Sequence, residues 1–231
     1  LSKSLVTTRT NNSVAVSDKI SGKVTESTSN YQNNFGWQAI LFPMQNMLVF
    51  NIPLNSGTEA HQYVMNTITG SWCRFKGWNA NAFALHQDEL YFAANGKVCK
   101  AWQGTSDGGL NISAEVKTSF NYFGTPGQIK QWTMAKPVYT ANRPPVQSIG
   151  LNVDFSDESF YNQSYTPAYS SSSWDSGLWD QSVWAGNAIY QQWQSVSGTG
   201  NCAALKIKIE STVINVSWSA TNYVFKIGGV L

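Results

Sequence analysis

The stretch WDSGLWDQSVWAG, residues 174–186, holds the residue types closest to a chemistry. Trp174, Trp179 and Trp184 recur at intervals of five, and Asp175 and Asp180 follow the first two. Two carboxylates around one ring could serve glycoside hydrolysis, one as acid and the other as base or nucleophile. A row of indoles could grip a sugar instead. Asp154 and Asp157 lie just upstream. Yet all four aspartates lie among Ser, Gly and Gln, and an Asp side chain in such a setting accepts a backbone N–H two residues on and closes a turn. A spacing of five turns successive side chains about 140° apart on a helix and onto opposite faces of a strand, so neither element aligns the rings. The stretch reads as packing, with short turns that bring each indole inward. Trp193 joins Trp174, Trp179 and Trp184 as a candidate for packing or for a subunit interface.

The rest of the chain supplies no stronger constellation. His61 and His86 are the two histidines, and neither belongs to a Ser/His/Asp order, a metal-binding HExxH or a nucleotide loop. Cys73, Cys99 and Cys202 are odd in number and lack CxxC spacing, which predicts ordinary thiols in a reducing compartment. The expectation is a protein that is not an enzyme, with no catalytic, cofactor-binding or metal-ligating residues.

Composition narrows the partners. Of 231 residues, 42% are apolar and 13% aromatic, enough for a core, while only 12% are charged. Polar surface must therefore come from amides and hydroxyls. A net charge of +2 with no Lys/Arg stripe excludes a dedicated polyanion binder. No run of about 18 apolar residues exists, so no helical membrane span is expected, and residues 1–20 lack the apolar core of a signal peptide.

The elements that must position the candidates are strands. Residues 1–35 are a polar extension with weak helical spacing through Val16, Ile20 and Val24, and Ser17 or Asp18 is the expected cap. From Trp37 the period becomes two. WQAILFP, NMLVFNIPL, HQYVMN, WCRF, FALH, DELYFAA and KVCKAW read as short strands, with Asn95-Gly96 as a type I′ hairpin turn. Trp37–Phe42 and Asn46–Phe50 are echoed at Trp78–Phe83 and Asp88–Phe92, an internal repeat that predicts propeller-like blades over 36–108. Two units cannot close a ring, and the chain opens on Leu1 rather than Met. Both suggest a piece of a longer polypeptide, or blades completed by a partner. Past the glycine-rich stretch 104–109, residues 109–231 are expected to form an antiparallel β-sandwich of six strands, LNISAEVKTSFNYF, WTMAKPVYTA, QSIGLNVDF, AALKIKIE, TVINVSW and NYVFKIGG, with a long irregular connection over 156–200. The fold class is all-β.

FGWQAILFP, LVFNIPL and QYVMNTITGSWCRF, followed by DELYFAANGKVCKAW, resemble the tail nozzle proteins of short-tailed bacteriophages, also called tail hub or packaged-DNA stabilisation proteins. GLNVDF, WDSGLWDQSVW and FKIGGVL resemble that family's later domain, so the likeness covers about residues 14–231. Members are usually much longer. The resemblance implies a virion protein made in the host cytoplasm: a hexameric ring between a tail adaptor and a fibre or needle. Genomic DNA would pass through its channel without sequence-specific binding. The other expectation is a carbohydrate-binding, lectin-like or receptor-binding, β module.

Overall fold

A computed structural model describes residues 15–142, 144–161, 164–165, 188–211 and 215–230. The described chain is mostly antiparallel strand and divides into two compact units, one ending at Gln103 and the other beginning at Gly104. Trp174, Trp179, Trp184, Asp175 and Asp180 lie outside the described residues.

In the first unit, α1 (Ser21–Tyr31) follows a 3-10 turn, Asp18–Ile20. The predicted caps do not form: Ile20 occupies the N-cap, and neither Ser17 nor Asp18 supplies a side-chain cap bond. Long-range bonds hold the helix instead. Ser27 is buried and its hydroxyl lies 3.0 Å from that of Tyr63, while Lys19 Nζ donates to Gly70 O at 3.0 Å.

Strands β1 (Gln38–Phe42), β2 (Met47–Asn55), β3 (Glu59–Asn66) and β4 (Trp72–Phe75) form one sheet in sequence order. A second sheet takes β5 (Ala82–His86), β6 (Glu89–Ala94) and β7 (Lys97–Lys100), again in sequence order. The β6–β7 turn has positive φ at both Asn95 (51°) and Gly96 (72°), as a type I′ hairpin requires. Gln87 and Asp88 make a second such pair between β5 and β6, without glycine. The two sheets share one core of Phe42, Met47, Val49, Val64, Phe83, Leu90 and Phe92. Met47 and Val49 of β2 correspond in burial to Leu90 and Phe92 of β6, one residue further along than the sequence match places them. The link between β1 and β2 has four residues and that between β5 and β6 has two. Trp78 lies in the loop between β4 and β5. Its ring stacks on Phe92 at 5.2 Å and meets Trp102 edge-on at 6.3 Å.

One rung of the first sheet is polar. Gln38, Asn51 and Gln62 are direct cross-strand partners on β1, β2 and β3. Gln38 accepts from Phe83 N–H (2.6 Å) and donates to Phe83 O (2.9 Å), so a side-chain amide replaces a backbone rung between the sheets. Asn51 donates to Gly36 O (2.8 Å) and Ala80 O (2.7 Å) and accepts from Gln62 Nε2 (2.9 Å).

The second unit has eight described strands rather than six. They are β8 (Ile112–Lys117), β9 (Gln128–Ala141), β10 (Gln147–Val153), β11 (Ser164–Tyr165), β12 (Ala188–Gln191), β13 (Gln194–Gly200), β14 (Ala203–Ser211) and β15 (Val216–Val230). The stretch 156–200 thus contains strands that its pattern hides. QSVSGTG of β13 buries Val196 and Gly200, and glycine is required where β13 meets the end of β10: a Cβ on Gly200 would lie 2.4 Å from Val153 Cγ1. Of the two last predicted strands, Val216–Trp218 of TVINVSW and all of NYVFKIGG belong to the single β15.

One sheet runs β11-β10-β14-β8, and in the other β12, β13 and β15 all pair with β9. Trp132, Ala135 and Tyr139 of β9, Ile149 and Leu151 of β10, and Leu205 and Ile207 of β14 build a common core. Among the described residues no helix is long and apolar enough to cross a membrane.

Candidate functional site

A cleft of about 330 Å³ opens in the second unit between the loop after β8 and the first half of β15, with Ala203 of β14 behind it. The sequence placed Trp218 in a plain strand. In the structure the pairing of β15 with β9 shifts there: Trp218 faces Tyr139, Ala220 faces Val138, and Ser219 is the extra residue of a bulge. Without the bulge, Trp218 and Tyr223, five apart, would point to opposite faces. With it, both line the cleft.

Each aromatic wall is held. Trp218 Nε1 donates to Ala220 O (2.9 Å) and to Thr221 Oγ1 (3.0 Å), which fixes the indole plane. Phe123 meets Tyr223 edge-on at 5.0 Å. Burial pushes the Tyr223 phenol up to about 12. It therefore stays protonated at ordinary pH, a neutral donor and acceptor.

The loop wall is fixed as firmly. Thr118 Oγ1 accepts from Leu205 N–H at 2.9 Å. Asn121 exchanges backbone bonds with Ala203 at 3.0 and 3.1 Å, and its Oδ1 accepts from Phe123 N–H at 2.7 Å. Ser119, Ser219 and Thr221 complete the polar lining. The lining offers hydroxyls, an amide and three rings. It can recognise a neutral ligand with apolar faces and polar edges, and it presents no carboxylate or imidazole for proton transfer.

Below the loop lies a buried cation. Lys130 is fully buried, and its ammonium donates to the carbonyls of Thr125 (2.7 Å), Gln128 (3.1 Å) and Asn201 (3.1 Å). On the other side of the same turn, Asp154 Oδ1 accepts from the N–H groups of Asn201 (2.8 Å) and Cys202 (3.1 Å). The peptide joining Asn201 to Cys202 is thereby polarised between an ammonium and a carboxylate. Asp154 does not close a local turn, as the chemistry of turn aspartates would have it; it stitches β10 to a turn 47 residues away. Asp157 bonds Lys117 (3.3 Å), Lys206 (3.4 Å) and Asn152 Nδ2 (3.1 Å), and those two lysines hold its carboxyl below the usual range.

The histidines are not brought together. His61 lies on β3, its pKa lowered chiefly by burial, and His86 ends β5 in the other sheet. Trp193, between β12 and β13, is 39% exposed, with the Lys136 ammonium 5.1 Å above its ring. The residues missed by sequence reasoning are those of SFNYF and SWSATNY, where hydroxyl and amide residues interrupt an aromatic alternation. No family model and no curated protein sequence matches this chain.

Proposed function

We propose that this chain is a structural protein of a phage tail, assembling into a ring that forms or gates the channel through which DNA leaves the particle. On this reading the two sequential sheets of the first unit are propeller-like blades, and the two sheets around one core in the second are a sandwich. The strand pattern and its resemblance to tail nozzle proteins support it. The observation that carries it is a pair of strand edges. β15 runs for 15 residues and, among the described residues, pairs along one edge only, with β9. β8 ends the other sheet and exposes every side chain, including Ile112 (47%) and Val116 (46%). Such edges are templates for another chain, and proteins that stay monomeric blunt them with charge, proline or cover. A ring covers them with neighbours. The low charge suits a channel lining along which DNA slides without being held, because tight binding needs clustered cations.

The test is self-association. Native mass spectrometry is expected to find a homo-oligomer, hexameric if the family likeness extends that far. Lysine at both Val224 and Ile227, exposed on β15 at 42% and 56%, is expected to weaken association about tenfold or more, with circular dichroism unchanged. A chain that stays monomeric at high concentration and never appears in purified virions would sink the proposal.

A further inference from the structure

We infer that the cleft beside β15 is a binding site for a neutral saccharide, a role that neither requires nor follows from assembly into a ring. Three features point to that chemistry. First, the site has flat apolar faces at fixed angles. The indole of Trp218 is pinned through its N–H, and the Tyr223 ring is braced by Phe123. Such rings match the C–H faces of a pyranose.

Second, the lining has polar capacity left over. Asn121 spends Oδ1 on its own turn, and among the described residues its Nδ2 and the hydroxyls of Ser119 and Ser219 carry no bond. All three residues are exposed at the rim. These are the donors and acceptors a sugar hydroxyl needs, placed around the rings.

Third, charge decides against the alternatives. No lysine, arginine, aspartate or glutamate lines the cleft. A nucleotide or a phosphorylated ligand would need a cationic contact, and an amine an anionic one. At about 330 Å³ the space sits at the lower end of ligand pockets, which span roughly 300–1,000 Å³. That suits one or two sugar rings. The carbohydrate reading raised by the tryptophans of residues 174–184 thus attaches to different residues.

The test uses the full chain, ¹⁵N-labelled, titrated with cellobiose, lactose and N,N′-diacetylchitobiose, and with glucose 6-phosphate as a charged control. At least one neutral sugar is expected to saturate while moving the Trp218 indole cross-peak, assigned through the Trp218→Phe variant. The control is expected to bind at least about tenfold more weakly. Asn121→Asp keeps the Oδ1 acceptor of the turn and removes the amide donor. It is expected to weaken binding several-fold with an otherwise unchanged spectrum. Trp218→Ala is expected to abolish binding. If no neutral sugar saturates, or if binding is the same in Asn121→Asp and Ser119→Ala, the inference is overturned. Neither result bears on ring assembly, which the mass measurement reads separately.

Discussion

Replacing Asn51 with alanine is expected to cost the first unit about 3 kcal/mol or more, enough to unfold a marginal domain. Asn51 is 1% exposed and makes three hydrogen bonds, to Gly36 O, Ala80 O and Gln62 Nε2. Alanine would leave two carbonyls and an amide nitrogen without partners. Each stranded buried polar group costs about 1–3 kcal/mol, and the lost side-chain volume adds to that. Water cannot easily repair the damage, because Val49 and Val64, the neighbours of Asn51 and Gln62 along the same faces, are sealed from solvent. Urea denaturation followed by tryptophan fluorescence would measure the loss. Asn51→Asp is a sharper variant, since it keeps the acceptor for Gln62 but faces two carbonyls with a carboxylate. It is expected to be at least as damaging. Wild-type midpoints for both variants would refute the account of the amide row.

The second large effect is expected at Lys130. Lys130→Met keeps the aliphatic stem and removes the ammonium, stranding the carbonyls of Thr125, Gln128 and Asn201. The expected loss is about 3 kcal/mol, in the range for hydrogen bonds to a charged group whose partners stay buried. The same change leaves Asp154 facing the Asn201 turn with no positive charge on the other side of the peptide. Lys130→Arg should not rescue it, because a planar fork cannot direct its donors at three carbonyls gathered around a point. Denaturation midpoints would report the loss. Amide exchange should quicken first at Asn121 and Cys202, which the loop and turn protect. A methionine variant as stable as the wild type would show that the carbonyls find other partners.

The strands of the first unit were legible because their inner faces alternate cleanly: Met47, Val49, then Leu90, Phe92. The hairpin at Asn95-Gly96 was legible because only a few residues accept two successive positive φ values. The amide row was not, since Gln38, Asn51 and Gln62 read singly as surface residues; only register shows that they are neighbours on an inner face. β13 was hidden for a different reason. Its glycines and serines bury little apolar surface, and its place is set by the close approach of Val153. The cleft was hidden by arithmetic. A spacing of five was taken to separate two rings on any strand, and at Trp218 and Tyr223 one inserted residue reverses that conclusion.

That inserted residue also makes β15 tolerant in length. Trp218 and Ala220 already face neighbouring residues of β9, Tyr139 and Val138. A chain lacking Ser219 would keep every other partner in place and close that step of the ladder into regular strand. Loss of a residue from the middle of β10, whose pairing with β14 is unbroken from Gln147 to Val153, would instead turn everything beyond it inside out. The rim of the cleft is thus a point on this long strand where evolution can insert or delete a single codon and alter the site while leaving the core untouched.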